Sequence, residues 1–103
     1  MKITIAGYGF VGQAYASLLG KTNNIVIVDP AFPENDIKIP NDTDAVIICV
    51  STPQANDGSC DMSNVLDVIQ QSPNVPILIK STISLEGWKE IKQSHIAFSP
   101  EFL

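Results

Sequence analysis

The chain has 103 residues, 45% hydrophobic and 17% charged, a length that suits one domain with its own core and leaves no room for a second full one. Eleven acidic residues face six basic ones for a net charge of -5, and all six are lysines; with no arginine and no clustered basic field, no nucleic-acid partner is expected. No apolar run approaches the ~20 residues of a spanning helix and the start Met-Lys-Ile-Thr-Ile is not a signal peptide, so the expected setting is the cytoplasm, away from membranes.

In chain order, the first apolar β-branched run, Ile3 to Ala6, predicts a strand. It leads directly into Gly7-Tyr8-Gly9-Phe10-Val11-Gly12. Val11, Ala14, Tyr15, Leu18 and Leu19 then recur at helical spacing, with Gly20 placed to end that helix. The run Ile25 to Val28 predicts a second strand, closed by Asp29. After it, Pro30-Ala31-Phe32-Pro33 leaves no room for a helix, and Ile37 to Ile39 is expected to be a brief edge strand.

The run Ala45 to Val50 predicts a third main strand and carries Cys49 as a buried residue; Ser51-Thr52-Pro53 follow it. Met62, Val65, Leu66 and Ile69 form a second helical stripe, with Asp61 as the expected N-cap and Pro73 just beyond its end. Cys60 lies near that helix start, and neither cysteine has a metal or redox spacing, so both read as reduced thiols. Pro76 to Ile79 predicts a strand followed by Ser81-Thr82, and Ser84 is placed to cap a short helix carrying Leu85, Trp88 and Ile91 despite Gly87 inside it. His95 to Phe98 predicts the last strand, ahead of Ser99-Pro100-Glu101.

Several runs are apolar at nearly every position, as in parallel strands covered on both faces. Strand alternating with helix predicts an α/β fold, a Rossmann-type doubly wound parallel sheet in one minimal domain spanning residues 1–103 with a shortened second crossover. His95, Trp88 and the Asp42/Asp44 and Asp57/Asp61 pairs read as structural, turn or capping residues, and no metal site is expected.

The glycine turn carries the sharpest chemistry. Between a strand and a helix, the first glycine permits the tight turn, the second lets a pyrophosphate approach the backbone, and the third allows close packing, while the helix N-terminus offers free N–H groups. Asp29, about 20 residues on, is placed to accept from a ribose 2′-hydroxyl. A 2′-phosphate would meet that carboxylate with no arginine in the chain, so the expected cofactor is NAD rather than NADP. In a parallel sheet the loops after the strands share one edge, so Ser51-Thr52, Ser81-Thr82 and Ser99-Pro100-Glu101 should gather beside the glycine turn.

These segments, together with Asp57-Gly58-Ser59-Cys60-Asp61-Met62-Ser63-Asn64-Val65, Lys80-Ser81-Thr82-Ile83 and Ser99-Pro100-Glu101-Phe102-Leu103, resemble in order the motifs of the UDP-glucose and GDP-mannose dehydrogenases. The resemblance implies an NAD-dependent oxidoreductase of the nucleotide-sugar class, oxidising a C6 primary alcohol of a UDP- or GDP-sugar to a carboxylate. It implies NAD contacts at Gly7, Gly9, Phe10, Val11, Gly12, Asp29, Thr52 and Thr82, with Thr82 and Glu101 as catalytic residues that hold a water and assist proton transfer. The family's nucleophilic cysteine and catalytic lysine belong to a later region than these motifs, and Cys60 does not match the nucleophile's motif. Glu34 and Ser84 stand where the family often has lysine and proline. The expectation is therefore a cofactor-binding half, with a separate chain as a conceivable source of the missing half. The alternatives are a non-catalytic dinucleotide-binding or partner-binding module and a simple two-electron alcohol dehydrogenase domain.

Overall fold

Alternating branched apolar side chains build the sheet. In the computed structural model, which describes residues 1–29, 39–91, 93 and 95–99, five strands form one parallel sheet. They are β1 (Lys2–Ala6), β2 (Asn24–Val28), β3 (Ala45–Ile48), β4 (Ile77–Ile79) and β5 (Ile96–Phe98). The helices are α1 (Phe10–Leu19), α2 (Ser63–Gln71) and α3 (Leu85–Lys89). The strand order is β2-β1-β3-β4-β5, a Rossmann-like α/β arrangement. Because the chain leaves β1 to one side for β2 and returns to the other side for β3, the order reverses between β1 and β3, where open sheets of this kind hold ligands.

The central strands β1 and β3 bury both faces, as their unbroken apolar runs require, while the edge strands β2 and β5 stay partly exposed. Ile3, Ile5 and Ile47 point to one face, where Tyr15, Ala16 and Leu19 of α1 cover them. Val46, Ile48, Ile77 and Ile79 point to the other, against Met62 and Val65 at α2 and Trp88 of α3. Ile5, Ile48 and Ile79 are fully buried, each contributing about 1.5–3 kcal/mol of hydrophobic stabilisation. Trp88 stacks on Phe98 with ring centroids 5.6 Å apart, which makes it a packing residue as expected.

Thr4, an inward-facing hydroxyl on β1, is also fully buried and pairs with the buried Thr43 at 2.8 Å between Oγ1 atoms. This bond, with the Lys2 N–H donating to Asp44 Oδ2 at 2.7 Å and the Lys2 ammonium 2.7 Å from Asp42, ties the approach to β3 onto β1. The expected edge strand at Ile37 to Ile39 lies mostly outside the described residues; Ile39 itself is buried in the core and belongs to no strand. Residues 30–33 and Glu34 lie outside as well.

The helix ends refine two expectations. Ser84 caps α3, accepting from the Gly87 N–H at 3.0 Å. Gly87 is tolerated there because it lies against Met62, whose Sδ would be 2.6 Å from an added Cβ. Asp61, expected as the N-cap of α2, sits one residue earlier; Met62 holds the cap position, and Asp61 accepts from the Ser63 N–H at 2.9 Å and the Ser63 hydroxyl at 2.5 Å. An Asx turn thus serves the same orphan donor from outside the helix.

Candidate functional site

The glycine turn assigns each of its glycines a different physical task. Gly7 has φ +97°, and a Cβ there would stand 2.6 Å from the backbone carbon and oxygen of Cys49. It is therefore required both by conformation and by the close approach of the residue after β3. Gly12 packs so tightly beneath the turn that a Cβ would lie 2.0 Å from Gly7 O. Gly9, by contrast, has nothing among the described residues within 4 Å of such an atom beyond its own chain neighbours. No packing demand explains its lack of a side chain; open space lies in front of its backbone.

Gly9 is also the N-cap of α1, and no side chain caps that end. The Gln13 N–H donates to Gly9 O at 2.9 Å, so the amides just before it are those that a helix start leaves without a helical carbonyl. With the helix dipole they make a site suited to an anion. Among the predicted contacts, Phe10 is 87% exposed at this helix start and Val11 is half-buried.

Asp29 follows β2 directly and turns its carboxylate onto the glycine turn, where Oδ2 accepts from the Tyr8 N–H at 2.5 Å. The Gly7 N–H donates to Val28 O at 2.9 Å, so two bonds hold the turn to the end of β2. The sequence placed Asp29 beside the turn, and it is there.

A cleft of about 630 Å³ opens at this edge, lined by Gly7, Tyr8 and Gly9 on the turn, Asp29 after β2, and Cys49 to Ser51 after β3. Its other wall is α2, through Asn64, Asp67, Val68 and Gln71, and its floor includes Val28 and Ile39. Sequence reasoning missed this wall. On paper those polar residues are the solvent face of an amphipathic helix, and their i, i+3 and i+7 spacing was the one available hint that they share a side. Cys49, expected as a buried strand residue, lies just past β3, half-buried and at the cleft. Neither Cys49 nor Cys60 forms a disulfide among the described residues.

The loops after β3, β4 and β5 meet at the same edge, as parallel topology requires. The Thr52 hydroxyl donates to Thr82 O at 2.5 Å, and the buried Ser81 hydroxyl donates to Val50 O at 2.7 Å. Lys80, also buried, donates from Nζ to Ser99 Oγ at 3.1 Å and stands 5.6 Å from the Tyr15 ring centroid. Neither Thr52 nor Thr82 is among the residues that line the cleft. Glu101, with Pro100, Phe102 and Leu103, lies outside the described residues.

The remaining acidic pairs do turn chemistry. Hydrogen bonds from the side chain and backbone N–H of Ser63 hold the Asp61 carboxyl below its ordinary value, and Ser59 does the same for Asp57. The Lys2 ammonium bonded to Asp42 lowers that group. His95 is exposed before β5, where its carbonyl accepts from the Ile77 N–H at 3.1 Å. Among the described residues, no group of three or more His, Cys, Asp or Glu could hold a metal ion, and no helix is long and apolar enough to cross a membrane.

No family model matches the sequence. The fold is similar to the crystal structure of a ternary complex of GDP-mannose dehydrogenase from Pseudomonas aeruginosa, with a TM-score of 0.76 and 19% sequence identity. The match covers 100% of this chain and 36% of that one, so the chain spans little more than a third of that protein's length. At this identity the likeness is one of fold.

Proposed function

We propose that the chain binds NAD at the glycine turn and forms the cofactor half of an oxidoreductase acting on a nucleotide sugar. The observation that carries this reading is Gly9, a helix N-cap with no atom of the described residues beyond its chain neighbours within 4 Å of a Cβ position, at a cleft that Asp29 also lines. The residues present fit the dinucleotide. The amides at the start of α1 suit its pyrophosphate, and the Asp29 carboxylate suits a ribose 2′-hydroxyl. That carboxylate would repel a 2′-phosphate, and no arginine in the chain could compensate, which favours NAD over NADP. The name of the structural neighbour, a GDP-mannose dehydrogenase, supports a nucleotide-sugar substrate.

In the reaction, bound NAD supplies an acceptor for the hydride leaving an alcohol carbon. The chain's own residues orient and protect. The Thr52 hydroxyl fixes the Thr82 carbonyl, which holds the loop after β4 beside the loop after β3. Ser81 secures the same pair of loops from below. Thr82 then holds a water at the site, and Glu101 takes up or relays the alcohol proton. The covalent steps that carry an aldehyde on to a carboxylate belong, by the family resemblance, to a cysteine in a later region.

Calorimetry with NAD and NADP, followed by NADH formation with UDP- and GDP-sugars, tests this reading. It predicts NAD binding, weaker NADP binding, and reduction of NAD by a nucleotide sugar that Glu101→Gln suppresses. Binding of NAD with no turnover on any nucleotide sugar would favour the non-catalytic module. Absence of binding at millimolar NAD would overturn the proposal.

A further inference from the structure

The glycine turn and Asp29 account for one side of the cleft and leave the α2 wall unexplained. Asn64, Asp67, Val68 and Gln71 occupy one face of that helix, and all four line the cleft. Asn64 is already engaged: its amide donates to Ser51 O at 3.0 Å and lies 3.4 Å from Ser51 Oγ, which fixes the start of α2 against the loop after β3. Asp67 stands one helical turn further along this anchored wall. It is exposed, and among the described residues no hydrogen bond or ion pair engages its carboxylate. An exposed helical carboxylate normally needs no explanation, but this one borders a concavity whose floor is apolar, with Val28 6% and Ile39 7% exposed.

An apolar floor with a polar rim suits a flat heteroaromatic ring, buried by its faces and read at its edge. Under the dinucleotide reading, the pyrophosphate belongs at the glycine turn and the ribose at Asp29, so the next unit outward is the base. We infer that Asp67 selects the purine, accepting a hydrogen bond from the exocyclic amino group of adenine. This inference rests on the NAD reading and deepens it. A carboxylate only accepts. The 6-amino group of adenine donates to it, whereas hypoxanthine and guanine present a carbonyl oxygen at that position and set acceptor against acceptor.

The test compares NAD with nicotinamide hypoxanthine dinucleotide, in which a carbonyl replaces that amino group and the adjacent N1 gains a proton, by calorimetry on the wild-type chain and on Asp67→Asn. The wild type should prefer NAD by roughly tenfold or more, the worth of a hydrogen bond to a charged group. In Asp67→Asn, whose amide can present either a donor or an acceptor, the two affinities should come within about twofold. A merely structural role for Asp67 would weaken both compounds equally and leave the ratio intact. NAD binding with an unchanged ratio, or equal affinities in the wild type, overturns the inference while leaving the NAD reading in place. Failure of NAD to bind at all removes both.

Discussion

The Thr52 hydroxyl donates to the carbonyl oxygen of Thr82 at 2.5 Å, joining loops 30 residues apart at the edge of the sheet. Thr52→Val should remove that bond at a cost of about 0.5–1.5 kcal/mol in urea denaturation, and Thr52→Ser should retain most of it. If the loop pairing positions Thr82, NADH formation should fall in Thr52→Val by more than the stability loss explains, with recovery in Thr52→Ser.

The three glycines of the turn should separate fold from ligand. Gly12→Ala forces a methyl to within 2.0 Å of Gly7 O and should destabilise the chain by roughly 1–3 kcal/mol. Gly9→Ala meets no atom of the described residues within 4 Å beyond its chain neighbours and should cost less than about 1 kcal/mol, the difference between glycine and alanine at an N-cap. It should nevertheless weaken NAD by about tenfold or more by holding a phosphate off the backbone. Chemical denaturation and calorimetry on the two variants check both halves of the statement.

The buried pair Thr4 and Thr43, 2.8 Å apart, predicts a double-mutant cycle with a large coupling. Thr4→Val strands the Thr43 hydroxyl in a site only 3% exposed and should cost about 1–3 kcal/mol. Adding Thr43→Val removes the stranded group, and the double variant should recover part of that loss.

Asp61 predicts an acid-side effect. Its folded carboxyl titrates below the ordinary 3.8 because the Ser63 hydroxyl and N–H bond the charged form. The stabilisation is therefore complete above the unfolded value and disappears as pH falls through the depressed folded one. An NMR titration should place the Asp61 midpoint below 3.8, Ser63→Ala should move it back toward 3.8, and the amide of Ser63 should lose exchange protection as the group protonates.

Much of this architecture is legible in the sequence because its signals are local. Branched apolar runs mark all five strands within a residue or two, and the glycine turn with Asp29 can be read from strand-to-helix context alone. The misses come from tertiary placement. Cys49 was read as part of a longer strand, yet β3 ends at Ile48, where Gly7 approaches its backbone. Thr4 looks like an ordinary strand threonine until Thr43 is brought against it. Asp67 and Gln71 look solvated, since nothing local tells an exposed helix face from the wall of a cleft.

The most direct measurement follows the backbone amides of the chain by NMR as NAD is added. Saturable shifts centred on Gly9 to Gly12, Asp29 and the start of α2 are the predicted result, with much smaller changes under NADP. Shifts that saturate elsewhere on the sheet, or none at millimolar NAD, would contradict a dinucleotide site at the glycine turn.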